Sequence, residues 1–267
     1  MRGSLACLCL LVASLAHAQT KPLGVFDPGI TPPSWAQFGT ISDTVSDDRF
    51  VDAAQMSEAT GFLWLLQLGY HEDPRTPIGP HAGRVLDRLR STGLLPYVVA
   101  VSVGEEWYEY CLAGEFARYG VAAGNPACVP VLRDWMGRQH LAAKTALGVP
   151  VVWITTLAHP TYRPIPAHTD IVALDPYMGP GGSFDAVVAP VLALAEQTTP
   201  LPLVIIPQWF EGYGFPRPRA SDVSKYFDWL KRPQWIALLG FTWRTRDNGI
   251  TGLSDLSDIR SAIEARK

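Results

Sequence analysis

The sequence predicts an α/β fold, a single (β/α)8 TIM barrel, and three observations lead to this prediction. Short apolar runs rich in branched residues recur along the chain, and stretches with helical spacing separate most of them. The runs are apolar throughout instead of alternating, which is typical of parallel strands buried on both faces. Eight such runs in about 250 residues match the number of strands and the size of a closed barrel.

The predicted elements follow one another in regular order. Strands are predicted at residues 23–26, 37–41, 62–68, 96–103, 149–155, 170–174, 203–207 and 236–242. Helices are predicted at residues 47–60, 82–91, 131–147, 184–197, 221–230 and 256–265. The second strand is short, so a doubly wound open sheet is the alternative. Residues 24–29 lack the glycine spacing of a dinucleotide-binding turn, and this absence favours the barrel.

The N-terminal segment has the layout of a secretory signal peptide. Arg2 precedes an apolar stretch at 5–15, and Ala16-His17-Ala18 forms a small-x-small cleavage site. We therefore expect a signal peptide at 1–18 and one mature domain at 19–267. The mature protein would be secreted or periplasmic.

Removal of the signal peptide would leave Cys111 and Cys128 as the cysteines of an exported chain. We expect them to form one disulfide, with two free buried thiols as the alternative. Cys7 follows too short an apolar core for a lipoprotein site, which disfavours a lipid anchor. The sequence has no CxxC or HExxH spacing, so we expect neither a metal nor another cofactor.

Composition and charge exclude several classes of partner. The net charge is −3, and this offers no basic face for nucleic acid. No apolar run after the signal peptide is long enough to span a bilayer. With 48% hydrophobic and only 18% charged residues, the chain can build a large core. We expect one globular domain, monomeric, that binds a neutral or weakly charged ligand.

Polar and aromatic residues follow the predicted strands, at the end of a parallel barrel where working residues are found. The candidate site residues are Asp27, Gln67, Tyr70, Glu105, Glu106, Trp107, Asp175, Tyr177, Gln208, Trp209, Glu211, Trp243 and Arg244. Indole and phenol rings stack on the apolar faces of sugar rings, while carboxylates and amides bond to hydroxyl groups. The set therefore predicts a carbohydrate-binding cleft.

The run GEEWYE at 104–109 is the strongest single signal in this set. It places adjacent carboxylates beside large aromatics directly after a buried strand. Cleavage of a glycosidic bond needs one carboxyl that protonates the leaving oxygen, next to surfaces that hold the sugar. Strand alternation would point Glu105 and Glu106 in opposite directions, so we expect only one of them, preferably Glu105, to face the barrel mouth.

Three segments together resemble a known family. The segments are an apolar strand that leads into 103–107, the stretch 170–177, and the stretch 203–207 followed by Gln208. Their order and spacing resemble the barrel glycoside hydrolases of the large clan, which carry an acid/base glutamate on strand four and a nucleophile on strand seven. The resemblance covers most of the mature chain. It implies that Glu105 or Glu106 is the acid/base.

The chain departs from the family pattern on strand seven. The nucleophilic glutamate of the family falls on Gln208, and an amide cannot act as a nucleophilic carboxylate. Three accounts remain open. Glu211 acts as the nucleophile, or Asp175 acts as a base on water, or the acetamido group of the substrate attacks while Gln208 or Asp175 orients it.

The sequence therefore predicts a secreted glycoside hydrolase that cleaves a polysaccharide or glycan by carboxylate acid/base catalysis. The alternative is a barrel that binds carbohydrate without cleaving it, because Gln208 replaces the nucleophile. A barrel deacetylase or esterase is less favoured, since the chain has no GxSxG turn. Low charge disfavours strongly anionic substrates, although arginines of predicted rim loops could meet a uronate. These are Arg163, Arg217, Arg219 and Arg244.

Overall fold

A computed structural model describes residues 21–69, 74–76, 78–121, 128–159 and 163–267, which form a closed barrel of eight parallel strands. In order around the barrel the strands are β1 (Leu23–Val25), β2 (Phe38–Ser42), β3 (Leu63–Leu68), β4 (Val98–Val103), β5 (Val151–Thr155), β6 (Ile171–Leu174), β7 (Leu203–Ile205) and β9 (Trp235–Gly240). The first strand pairs with both β2 and β9, and this closes the sheet. The TIM-barrel prediction is confirmed, and the open sheet is excluded.

The helices lie between the strands. They are α1 (Asp47–Thr60), α2 (Gly79–Ser91), α3 (Trp107–Leu112), α4 (Cys128–Leu147), α5 (Ala189–Thr198), α6 (Ala220–Leu230) and α7 (Ser257–Glu264). Six of them were predicted, some with shifted ends, and the short α3 was not. The cap residues of α1 explain its agreement with the prediction: Ser46 accepts a hydrogen bond from the Arg49 N–H, and Gly61 ends the helix in the left-handed region at φ 73°.

Two apolar layers hold the barrel together. Side chains that point inward fill the barrel interior: Phe26, Leu65, Ala100, Val152, Ile154, Ile171, Ala173, Val204, Ile206, Ala237 and Leu239. Outward-pointing strand residues pack beneath the helices, as Trp153 and Trp235 do. The interior is therefore a packed core and not a pore, so a ligand can enter only at an end of the barrel.

A two-stranded antiparallel ribbon stands beside the barrel mouth. It pairs β8 (Glu211–Gly212), after the seventh barrel strand, with β10 (Ile250–Thr251), after the eighth. The register places Thr251 opposite Glu211 and Ile250 opposite Gly212. The ribbon thus links the loops that follow two neighbouring barrel strands.

The predicted disulfide between Cys111 and Cys128 is present, and it joins α3 to the first residue of α4. The predicted signal peptide at 1–18 lies outside the described residues. In the part of the chain that the structure describes, every helix is too short or too polar to cross a membrane. Within the same ranges, no group of three or more His, Cys, Asp or Glu side chains has the arrangement of a metal site.

Candidate active site

The backbone after β4 turns twice through the left-handed region. Gly104 has φ 73° and Glu106 has φ 53°. The strand has already ended at Val103, and the Glu106 N–H donates to the Ile154 carbonyl of β5 at 3.2 Å. A left-handed glutamate costs about 1–2 kcal/mol relative to ordinary backbone geometry. Strained residues of this kind are often found at functional sites.

This turn brings both glutamates to the barrel mouth. The charges of Glu105 and Glu106 both act on the buried carboxyl of Asp175 at the end of β6. The expectation that only one of the two glutamates faces the mouth is therefore wrong. It assumed strand alternation through residue 106, whereas the strand stops at Val103 and alternation no longer applies.

Glu105 is a half-buried carboxyl at the centre of the mouth. Gln67 at the end of β3 donates its Nε2–H to Glu105 Oε2 at 3.0 Å. Burial, and next the charge of Glu106, raise the pKa of Glu105 to about 7, although the hydrogen bond from Gln67 and the charge of Arg246 act in the opposite direction. The carboxyl is therefore about half protonated at neutral pH.

Glu106 and Asp175 form a hydrogen-bonded carboxyl pair. Asp175 is only 3% exposed, and burial followed by the charges of Glu106, Glu105 and Glu109 raises its pKa well above the ordinary value. Burial and the charge of Glu109 also raise the pKa of Glu106, while the bond with Asp175 lowers it. Two carboxyls in such contact share one proton. The proton belongs to the pair, and burial favours the protonated form of both carboxyls.

Glu109 is a fourth carboxylate in this group, and the sequence analysis did not select it. It lies one turn along α3 from Glu106, where Arg163 Nε stands 3.0 Å from Glu109 Oε1 and Thr156 Oγ1 donates to the same oxygen. Residues three apart on a helix lie on the same face, so a predicted helix at α3 would have placed Glu109 beside Glu106. The sequence did not indicate this helix. We call Glu105, Glu106, Glu109 and Asp175 the acidic cluster.

An aromatic wall stands beside the acidic cluster. Tyr177 makes edge contacts with Phe210 and Phe215 at 5.2 and 5.7 Å between ring centroids, and it lies at 5.9 Å from Phe241. Burial, and next the charge of Asp175, raise the pKa of Tyr177 well above its ordinary value, so its hydroxyl stays neutral. Tyr213, which the sequence analysis missed, is 72% exposed at the ribbon turn.

The predicted tryptophans do not line the mouth as exposed platforms. Trp209 is 0% exposed and packs edge-on against Trp35 at 5.9 Å, while Trp107 is buried against Phe116 at 5.8 Å. Trp243 is partly buried against the core. Residue type alone could not separate an exposed indole from one that fills space between the barrel and its helices.

Gln208 is also turned into the protein. It is 0% exposed, and its Oε1 accepts the Met178 N–H at 2.8 Å. Its Nε2 donates to the carbonyls of Pro216 at 2.7 Å and Phe210 at 3.4 Å. All of these partners are main-chain groups, so the amide joins three loops at the rim and does not point into open space.

Glu211 stands apart from the acidic cluster. It lies on the ribbon, where Arg217 Nη1 is 3.5 Å from its Oε1. Its charge is not among those that shift the pKa of Glu105, Glu106 or Asp175. The structure therefore brings together the candidates from β4 and β6, and it does not bring Glu211 to them. Tyr70, another candidate, lies outside the described residues.

A cleft of about 310 Å³ opens next to the cluster, on the side of β1 to β3. Gln67 lines it and thereby connects it to Glu105. Asp27 and Arg244, both sequence candidates, also line the cleft and form an ion pair with Nη2 2.6 Å from Oδ1. Arg49 and Arg246, which the sequence analysis did not select, complete its basic wall. We call this the arginine cleft.

Comparisons with solved structures place the fold. The chain is similar to the virulence factor SghA from Agrobacterium tumefaciens, with 12% identity, a TM-score of 0.53, and coverage of 91% of this chain and 94% of that one. It is similar to a GH113 β-1,4-mannanase, with 10% identity, a TM-score of 0.53 and coverage of 100% and 94%. A β-mannanase from Streptomyces thermolilacinus, solved with mannohexaose, shows 14% identity, a TM-score of 0.50 and coverage of 88% and 82%.

No protein-family model matches the sequence, and no curated protein matches it. The chain thus has the (β/α)8-barrel fold found in glycoside hydrolases, and the resemblance noted in the sequence is confirmed at the level of the fold. Identities of 10–14% carry the comparison no further than the fold.

Proposed function

We propose that this protein is a secreted glycoside hydrolase that cleaves a glycosidic bond in a polysaccharide or glycan. One observation carries the proposal: carboxyls from β4 and β6 meet at the mouth of the barrel with raised pKa values. Glycoside hydrolysis needs one carboxyl that is protonated and a second that is charged. Carboxyls whose surroundings give them different protonation states meet this need.

Glu105 is the general acid in this proposal. With a pKa of about 7 it retains its proton at weakly acidic to neutral pH, and it adjoins the arginine cleft through Gln67. A protonated carboxyl placed beside a glycosidic oxygen can donate its proton as the bond breaks. Gln67 donates to one oxygen of Glu105 and thereby fixes the direction of the carboxyl.

Glu106 is the second carboxylate. Burial and the charge of Glu109 raise its pKa, whereas the hydrogen bond with Asp175 and the charge of Arg163 favour the ionised form that this role requires. Glu106 would then either attack the sugar or take a proton from water. A retaining reaction needs carboxyls about 5–5.5 Å apart and an inverting one about 6.5–9.5 Å. Proton NMR of the first product distinguishes the two reactions, because a retaining reaction keeps the anomeric configuration of the substrate and an inverting reaction reverses it.

Gln208 does not argue against this proposal. Its amide groups are occupied by main-chain partners, so position 208 does not face the reacting groups. The second carboxylate comes from β4 instead. The other candidate function, binding without cleavage, was motivated only by the missing carboxylate at 208, and no further contact of Gln208 favours it.

Release of new reducing ends from a panel of polysaccharides tests the proposal. The wild type should release them, and Glu105→Gln, Glu106→Gln and Asp175→Asn should each reduce the rate strongly. Glu211→Gln should retain activity because its carboxylate lies outside the acidic cluster, and Glu196→Gln, which removes an ion pair with Arg232, is a matched surface control.

Two results would contradict the proposal. If the three cluster variants keep full activity, the site is elsewhere. If the wild type binds a glycan in affinity electrophoresis and never releases reducing ends, the non-catalytic function is the correct one.

A further inference from the structure

The arginine cleft carries a positive charge that the proposed acid/base chemistry does not use. Three guanidinium groups line it, from Arg49 on α1 and from Arg244 and Arg246 after β9. A Cβ atom at Gly29 would lie 3.2 Å from Arg49 Nη2 and 3.7 Å from Arg244 Cδ. Two of the arginine side chains therefore flank the same glycine, and the absence of a side chain there leaves them room.

The charges in the cleft are not balanced. Within the described residues, Asp27 is the only carboxylate at ion-pair distance from any of the three arginines, and it pairs with Arg244. Arg49 and Arg246 have no carboxylate within that distance in the same ranges. The cleft lining thus holds three cations and one anion, and the charge of Glu105 acts on Arg246 from outside this lining.

Arg246 gives independent evidence that a partner is missing. Its Nε is buried and has no hydrogen-bond acceptor among the described groups. Its guanidinium lies over the ring of Phe241, with Cζ 4.9 Å from the centroid, and the ring holds it in place. A buried donor without an acceptor is unfavourable in a folded protein, so a ligand that accepts from it would be bound well.

We infer that the arginine cleft binds an anionic sugar residue of the substrate, whose carboxylate or sulfate ester accepts hydrogen bonds from Arg49, Arg244 and Arg246. The inference rests on the proposed function and names its substrate class. Arginine suits this task because its planar group donates to two oxygens at once and remains charged at any ordinary pH. Gln67 lines the cleft and binds Glu105, so the anionic sugar lies next to the bond to be cleaved.

This substrate class differs from the expectation drawn from composition. A net charge of −3 disfavoured strongly anionic ligands, but that sum covers the whole chain. A ligand responds to the field of the cleft that it enters, and there the charge is positive.

Affinity electrophoresis with matched glycans tests the inference. The Glu105→Gln protein, which should bind without turnover, is run against a uronate polysaccharide and its carboxyl-reduced form, and against a sulfated polysaccharide and its desulfated form. We expect retention by one anionic glycan to exceed retention by its neutral form, and the pair that differs identifies carboxylate or sulfate. Adding Arg49→Gln or Arg246→Gln should weaken the anionic complex about 10- to 100-fold and leave the neutral complex unchanged.

Controls separate binding from folding. Arg138→Gln removes an exposed arginine of α4 and should change neither complex. Arg49→Lys keeps the charge and should retain part of the affinity, which a folding defect would not restore. Equal retention of charged and neutral glycans, retention of none, or no effect of either arginine variant overturns the inference.

Cleavage assays on the same glycans distinguish a failure of the proposed hydrolase activity from a failure of the proposed anionic-sugar site. If the wild type cleaves only neutral glycans, the inference is wrong and the proposed function stands. If it binds anionic glycans through the arginines and cleaves none of the panel, the proposed function fails and the inference about the ligand stands.

Discussion

The acidic cluster and the arginine cleft are neighbours at one barrel mouth, but they differ in how firmly their groups hold a charge. The charge of carboxyls in the cluster, such as Glu105, depends on pH near neutrality, whereas the charge of the arginines in the cleft does not. In the cluster, burial and the charges of neighbouring carboxylates raise the pKa values of Glu105, Glu106 and Asp175, so these carboxyls retain protons. In the cleft, Arg244 is half-exposed, and guanidinium groups keep their charge at any ordinary pH. One region can therefore move protons, while the other supplies a fixed field. Under the two proposals, the acidic cluster performs the reaction and the arginine cleft binds the substrate, and Gln67 contacts both regions.

Replacement of the proposed general acid, Glu105, should have the largest effect, because it should reduce the rate and leave binding intact. We expect Glu105→Gln to lower kcat by about 10²–10⁴-fold, because an amide cannot donate the required proton. Binding of anionic glycans in the arginine cleft should remain within about twofold, since none of its three arginines is altered. Steady-state kinetics and affinity electrophoresis measure the two effects. An equal loss of binding and rate would show that the two regions do not act separately.

Removal of the disulfide, which lies on the side of the acidic cluster, should lower the stability of the whole fold. The bond between Cys111 and Cys128 spans 17 residues, and it holds α3, which carries Glu109. Replacing both cysteines by alanine should lower the free energy of unfolding by about 3 kcal/mol through the larger entropy of the unfolded chain. Urea unfolding of the double variant and of wild type gives this number, and reduced wild type should match the variant. An unchanged midpoint would contradict it.

The pH profile should report the acidic cluster and not the arginine cleft. As the proposed general acid, Glu105 would act in its protonated form, so activity should be present below its pKa of about 7 and be lost as pH rises through that value. Above pH 7 we expect kcat/KM to fall about tenfold per pH unit. The Glu105→Gln variant should lack this alkaline limb in its residual activity. Wild-type activity that stays level to pH 9 would exclude Glu105 as the acid.

Neutralising one member of the carboxyl pair should stabilise the protein slightly. The raised pKa values mean that the folded state binds more protons than the unfolded state, so the free energy of unfolding falls as pH rises above the ordinary carboxyl range. Glu106→Gln should therefore raise stability by about 1 kcal/mol at pH 8 and by little at pH 4, while it removes activity. Thermal unfolding at both pH values measures this, and a destabilised variant at pH 8 would contradict it.

The barrel was predictable because its signals are local. Most of the buried parallel strands are nearly continuous apolar runs, and even the short, more polar second strand appears within one residue of its prediction, at Phe38–Ser42. Helix α3 was not predicted because it has only six residues and follows a left-handed glutamate, and neither property produces a helical pattern in sequence. The missed helix concealed Glu109.

The site was predictable only in part, for a related physical reason. Strand ends identify Glu105, Glu106 and Asp175, because parallel strands deliver their ends to one rim. The arginine cleft instead joins a residue of α1 to two residues near the end of the chain, and its excess of charge exists only after folding. The buried state of Trp107, Trp209 and Gln208 likewise depends on neighbours distant in sequence.

The hydrogen bonds of Gln208 limit how this barrel could be redesigned. Exchange of Gln208 for Glu would introduce the residue type that the sequence resemblance implies at this position. Here it would place a carboxylate against the carbonyls of Pro216 and Phe210, with only the Met178 N–H as donor. Such a buried charge is penalised by several kcal/mol, so the new acid would remain protonated or pull the rim loops apart. A carboxylate nucleophile therefore cannot be installed at this position by one substitution unless the rim loops also change.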